Sequence, residues 1–490
     1  MIMKRYRTFI TFMAIGLLLS CQYEFPEPEQ SIPDSGEADF TKMVTIGSSI
    51  TAGVMDAALY DRSQKNSFAV ILANQMKEAG GGEFNLPDIN AETGDLILTQ
   101  TGGNLGRLIL TIDRNTGSIL PSPIAPGNPI TPFTGDKSGI NNFGINGLTL
   151  AGALLPQTGD INVPGHPLFN PYYARFASNP GVSTPIGDAA NALADGGTFF
   201  VFWLGNNDAL TFALAGGAIP ELLPDNDDFS QRYQSALAAI LQANPDAKGA
   251  IGNIPDINEL PYFSTITWNA LPLTQALANV ANGAYNAYNT GLDNLFGAGL
   301  ITESEKDLRK INFTPGLNGF VIEDKTLSDL SGMGLPSIRL SNSNDKVALT
   351  AGQLLGQIVG QDPTAILGVT VPIGDQYIML PSEQDQMTEK INAFNQIIAN
   401  AASSNTDRLV FVDTKKLMDD ISQGLVSPNN VPLSNSIIPP NGAFSTDGVH
   451  PNARGSAVLA NHFIKAINDK WGSTIPMANP NAFIGNDLPR

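Results

Sequence analysis

Met43-Val44-Thr45-Ile46-Gly47-Ser48-Ser49-Ile50-Thr51-Ala52-Gly53 runs from apolar and β-branched residues into a glycine, two serines and a second glycine. That order predicts a buried strand over 42–46, a tight turn, and the first turn of a helix. A serine in such a turn stands at the carboxyl end of a strand, where open α/β sheets bind their ligands. Its hydroxyl also lies near helix N–H groups, which favour developing negative charge. By itself the stretch is equally consistent with an ordinary strand–turn–helix in which serine is only an N-cap.

Working outward, residues 198–204 (TFFVFWL) form a continuous apolar run, the pattern of a strand covered on both faces. Shorter strands are expected over 247–251 and 408–412. Between them the apolar period changes to that of helices. One helix is expected over 67–78, with Phe68, Ile71, Leu72 and Met76 inward, ended by Gly80-Gly81-Gly82. A second is expected over 229–241, with Tyr233, Leu237, Ile240 and Leu241 inward. A third is expected over 382–402, capped by Ser382, with Met387, Ile391, Phe394 and Ile398 inward, and a last over 455–467. Strands alternating with helices predict an α/β fold with a mainly parallel sheet covered on both faces. Two long excursions, at about 84–140 and 263–380, interrupt the alternation. Within the first, Gly102-Gly103-Asn104-Leu105-Gly106 lacks the Lys-Ser/Thr of a phosphate loop. Asp225-Asn226-Asp227-Asp228 is expected to cap the next helix rather than to bind a cation.

Residues 1–20 stand outside this pattern. Lys4, Arg5 and Arg7 precede an apolar run too short to span a bilayer, and Leu18-Leu19-Ser20 leads into Cys21. The segment reads as a secretory signal and resembles a bacterial lipoprotein signal. The resemblance implies cleavage before Cys21 and lipidation of its thiol, which places the protein in the cell envelope, at the outer membrane. Cys21 is the single cysteine, so no intramolecular disulfide is available. Residues 21–40 are acidic and proline-bearing and read as a tether, and 476–490 as a C-terminal tail. The chain carries 27 basic and 46 acidic residues, a formal net charge of −19. Loss of three basic residues with 1–20 makes it −22. Such a surface repels nucleic acid.

Three further stretches carry chemistry-bearing residues: Asn142-Phe143-Gly144-Ile145-Asn146-Gly147-Leu148-Thr149, Trp203-Leu204-Gly205-Asn206-Asn207-Asp208, and Ser445-Thr446-Asp447-Gly448-Val449-His450-Pro451-Asn452. Together with the opening stretch, and in this order, they resemble the four signature blocks of the SGNH hydrolases, also called GDSL esterases and lipases. The resemblance covers under half of the chain. It implies a three-layer α/β/α domain over 41–475 with a flavodoxin-like sheet and long insertions. It implies Ser49 as nucleophile, His450 as general base and Asp447 as the partner that orients it. An oxyanion hole would be formed by Ser49, Gly147 and Asn207. The family usually has aspartate at the position of Ser48, which leaves two adjacent serines here.

The residue chemistry is compatible with those roles. A serine hydroxyl needs a base to take its proton, and the base needs a third group to fix its tautomer. Only His166, His450 and His462 are available. His166 lies in a Pro-flanked loop without a nearby acid, and His462 lies in the last helix beside Phe463. Three histidines and one cysteine also weigh against a zinc site. The expected activity is hydrolysis of a carboxylic ester through an acyl-enzyme, without a cofactor. The substrate would be a small-molecule, lipid or glycan ester, and the membrane would be reached through the anchor at Cys21. Removal of acetyl groups from a polysaccharide, or an inactive surface module that binds glycan or a partner, stay open as alternatives.

Overall fold

The computed structural model describes residues 32–97, 101–112, 117–427 and 430–489. Cys21 and the signal segment lie outside the described residues. Residues from Asp34 onward form one compact unit.

Five strands make the central sheet: β1 (Met43–Gly47), β2 (Asn142–Gly144), β3 (Phe199–Trp203), β4 (Lys248–Gly252) and β5 (Leu409–Val412). All pair in parallel, in the order β2-β1-β3-β4-β5. β1 and β3 are buried along their whole length, as a continuous apolar run requires when both faces are covered. The register sets Gly47 opposite Gly144 on one side and Trp203 on the other. Three strands therefore end together, and the segments that follow them emerge at one edge of the sheet.

Helices pack on both faces. The helices numbered here are α1 (Ser49–Ala52), α2 (Phe68–Glu78), α3 (Pro185–Ala194), α4 (Asn206–Leu214), α5 (Asn226–Ala243), α6 (Gln275–Gly297), which belongs to the second excursion and packs there, α7 (Pro381–Ser403), α8 (Thr414–Ser422) and α9 (Ala453–Trp471). Side chains alternate across β3. Phe199 meets Trp471 edge-on and Trp203 meets Phe68 edge-on, which sets α2 and α9 against one face. Phe202 meets Tyr233 of α5, whose Phe229 stacks on Phe394 of α7 at 3.9 Å, on the other face. Such aromatic pairs add about 0.5–1.5 kcal/mol each beyond the area they bury.

Several expectations need correcting. α7 begins at Pro381, and its N-cap position is Leu380, whose N–H donates to the Glu383 carboxylate at 2.7 Å. Ser382 is exposed and caps nothing, because proline preset the first helical φ one residue earlier. Leu241 is half-buried and packs against the core from the last turn of α5. Residues 34–40 are not tether: Phe40 is buried, and the chain is clamped by bonds from Asp34 N–H to Thr474 and from Glu37 N–H to the Trp471 carbonyl. The segment from 476 onward is also packed, with Asn461 exchanging bonds with the Ala478 backbone and Asn486 donating to Phe444. The first excursion carries an antiparallel hairpin, Leu108–Ile112 with Ile119–Pro123. The acidic run behaves as expected: Asp225 caps α5 by accepting from the Asp228 N–H at 2.7 Å.

Candidate active site

β1 ends at Gly47, Ser48 takes the N-cap position, and Ser49 is the first residue of α1. Ser48 makes no capping bond through its side chain, so the turn is not built around a serine cap. α1 lies directly on the end of β2. A Cβ at Gly144 would come within 2.3 Å of the Ala52 nitrogen, so only glycine allows that approach. Among the described residues, the Ser49 hydroxyl has no hydrogen-bond partner and is not bonded to His450. Unliganded sites often leave that contact long.

Asp447 and His450 meet as a pair. The His450 Nδ1 lies 2.8 Å from Asp447 Oδ2. A neutral imidazole that donates from Nδ1 to the carboxylate leaves Nε2 as the acceptor. The same carboxylate accepts the N–H groups of Val449 (2.8 Å), His450 (2.9 Å) and Ala57 (2.7 Å). Burial pushes the Asp447 carboxyl up, but the His450 charge and these donors outweigh it and hold it at about 2. Asp447 is therefore ionised at neutral pH.

The Ala57 bond also joins the two distant segments. Asp56 and Ala57, just after α1, both have positive φ, a sparsely populated conformation for residues with a side chain. Their N–H groups turn toward the acid loop, Asp56 donating to Ser445 Oγ at 2.9 Å and Ala57 to Asp447. The Asp56 carboxylate in turn accepts from the Thr446 N–H and hydroxyl. Asn452 caps α9 and donates to the Gly442 carbonyl, which anchors the other end of the loop.

Gly147 and Asn207 leave the ends of β2 and β3, on either side of β1. Asn207 Nδ2 donates to the Leu148 carbonyl at 3.0 Å, which keeps one of its two hydrogens free. The next side chain, Asp208, accepts the Leu150 N–H. Burial raises its carboxyl to about 7, against that hydrogen bond. Gly147 has φ +73°, and among the described residues its N–H has no partner. The peptide that carries this N–H has its carbonyl, on Asn146, bonded to the Asn170 side chain.

Asn170 is a residue the motifs did not reveal. Asn-Pro at 170–171 was legible as a helix start, and Asn170 does cap Pro171–Ala174. Its second bond, to a carbonyl 24 positions away, has no local signature. The Asp56–Ala57 turn was likewise invisible, since nothing in its sequence demands positive φ. The other histidines lie apart from these groups: His166 is exposed in its loop, and His462 sets Nε2 2.9 Å from the Asp413 carbonyl. Among the described residues no cluster of His, Cys, Asp or Glu could hold a metal ion. No helix among them is long and apolar enough to cross a membrane.

No protein-family model matches the chain, and no curated protein matches its sequence.

Proposed function

We propose that this protein is a serine ester hydrolase of the SGNH type. The observation that carries the proposal is the Asp447–His450 pair, oriented with Nε2 free and tied through the Ala57 N–H to the turn that follows α1, the helix Ser49 opens. Ser49, Gly147 and Asn207 follow three neighbouring strands, which is the placement an oxyanion hole needs. The strand order β2-β1-β3-β4-β5 is that of flavodoxin-like sheets and supports a three-layer α/β/α domain of this family.

In the proposed reaction the Ser49 oxygen attacks the ester carbonyl carbon while His450 Nε2 takes its proton. Asp447 stabilises the imidazolium that forms. The carbonyl oxygen becomes negative and faces the N–H groups of Ser49 and Gly147 and the free hydrogen of the Asn207 amide. The carbon–oxygen bond to the alcohol then breaks, and His450 returns its proton to the leaving oxygen. Water repeats the sequence on the acyl-enzyme, releasing the acid and restoring Ser49. The Ser49 proton leaves on the alcohol and a proton from water replaces it, so the proposed reaction calls on no cofactor.

A fluorophosphonate probe tests the reading directly. It should label one serine, and the label should vanish in Ser49→Ala and weaken in His450→Ala. An unlabelled folded protein that hydrolyses neither p-nitrophenyl acetate nor an acetylated glycan would leave the inactive binding module standing. We further propose that Cys21 carries a lipid that holds the enzyme at the outer membrane of a bacterial envelope. Cys21→Ala should then move the protein to the soluble fraction with its activity on a soluble ester intact.

A further inference from the structure

The proposed proton transfer needs Ser49 and His450 at a fixed separation, yet the two come from opposite ends of the chain and their side chains are not bonded. The connection runs through the backbone. Val54 N–H donates to the Ser49 carbonyl at 2.9 Å, which ties the exit of α1 to the nucleophile. Two residues on, Asp56 and Ala57 meet the acid loop. Among the described residues, every hydrogen bond between residues 47–60 and residues 443–452 runs through these two.

The bonds are reciprocal. Ala57, next to Asp56, donates its N–H to the Asp447 carboxylate at 2.7 Å. Thr446, next to Asp447, donates its N–H to Asp56 Oδ1 at 3.0 Å and its hydroxyl at 2.9 Å. Asp56 is itself braced. Its Oδ2 accepts the Tyr60 hydroxyl at 2.6 Å and lies 3.5 Å from Arg107, whose guanidinium sits over the Tyr60 ring. Its carbonyl accepts the Leu108 N–H at 2.8 Å, so the hairpin of the first excursion holds the same residue. Asp56 is 6% exposed, and burial and the Asp447 charge push its carboxyl up, against the Tyr60 and Thr446 bonds. Burying a second charge beside Asp447 is unfavourable by itself. What Asp56 supplies is one acceptor for both Thr446 donors.

We propose that Asp56 is a positioning residue: by accepting both Thr446 donors it fixes the acid loop against the exit of α1 and so sets the distance from the Ser49 oxygen to His450 Nε2. The proposal rests on the ester-hydrolase reading above. The Asp447–His450 pair is closed within its own loop by the Nδ1 bond and by the Val449 and His450 N–H groups, none of which involves Asp56. Loss of Asp56 therefore displaces an intact pair. A displacement of about 1 Å in such a constellation costs up to about 10² in rate.

Two substitutions separate the acceptor from the backbone. Asp56 has positive φ, which glycine adopts freely and asparagine tolerates. Asp56→Gly removes the acceptor and keeps the turn; Asp56→Asn keeps both. On p-nitrophenyl acetate, Asp56→Gly should lower kcat by roughly tenfold to a hundredfold per folded molecule and leave KM within a few-fold. Asp56→Asn should stay within a few-fold of the wild type. Thr446→Val, which deletes one of the two donors, should lower kcat by a smaller factor. A folded Asp56→Gly that turns over like the wild type would overturn the proposal, and so would an Asp56→Asn no faster than Asp56→Gly. Should Asp56→Gly fail to fold, Thr446→Val decides: a lowered kcat with unchanged KM supports the clamp, and an unchanged kcat overturns it. A wild type that neither takes the fluorophosphonate label nor hydrolyses the ester would instead reject the ester-hydrolase reading, and this proposal with it.

Discussion

The Asn170 side chain donates a 2.7 Å hydrogen bond to the Asn146 carbonyl, and that bond sets which way the Gly147 N–H points. In a trans peptide the C=O and N–H point in opposite directions. Holding the Asn146 oxygen on one side therefore turns the Gly147 N–H to the other. Gly147 has positive φ and no Cβ to steer it, so its own conformation does not fix that direction. Asn170 is in turn held by its Oδ1, which accepts from the Tyr172 and Tyr173 N–H groups.

Asn170→Asp separates the two jobs of this side chain. The carboxylate still accepts the capping bonds but donates nothing to Asn146. We expect a kcat lower by roughly tenfold to a hundredfold, a KM within a few-fold and a nearly unchanged thermal midpoint. A purely structural cap predicts unchanged turnover per folded molecule, and that outcome would remove Asn170 from the site.

The adjacent serines differ in position, Ser48 standing at the N-cap and Ser49 inside α1. Ser49→Ala should abolish ester hydrolysis, while Ser48→Ala should keep measurable activity. The reverse ranking, measured on the same ester, would show that the nucleophile is Ser48.

Asn207 has one hydrogen on the Leu148 carbonyl and one free. Loss of a preorganised oxyanion donor typically costs about 2.7–4 kcal/mol, or 10²–10³ in kcat. Asn207→Ala should lower kcat by that order and leave KM within a few-fold. It should also melt somewhat lower, since the Leu148 bond is lost. A variant that melts lower yet turns over normally would leave Asn207 a structural residue only.

Two carboxyls give opposite pH signatures. The Asp447 carboxyl is depressed to about 2, so its contribution to stability is present above its ordinary value of 3.8 and is lost as pH falls through about 2. The Asp208 carboxyl is raised to about 7, so its contribution is present below 3.8 and is lost as pH rises through about 7. Asp208→Asn should therefore gain on the wild type in thermal midpoint as pH rises from 4 to 8. A constant difference across that range would refute the assignment to Asp208.

Much of the architecture was legible in the chain because it depends on short-range pattern. The apolar stretches at 43–46 and 199–203 are sheet strands because no solvent-facing alternation interrupts them. Phe68, Leu72, Met76 and Met387, Ile391, Phe394, Ile398 are buried because their spacing puts them on one face of a helix. The Asp-x-x-His spacing pointed to Asp447 and His450 as a pair, and the two side chains meet. Where neighbours compete locally the sequence misled, as at Ser382, where Pro381 and Glu383 start the helix instead.

What tertiary structure alone decided is how separate segments meet. Strand order and register bring the turns after β1, β2 and β3 to one edge, and no residue pattern encodes which strands become neighbours. The bonds from Ala57 to Asp447 and from Asn170 to Asn146 span 390 and 24 positions. Each follows from how closely packed elements exclude water and choose partners, and that choice depends on the whole enclosure rather than on the residues beside it in the chain.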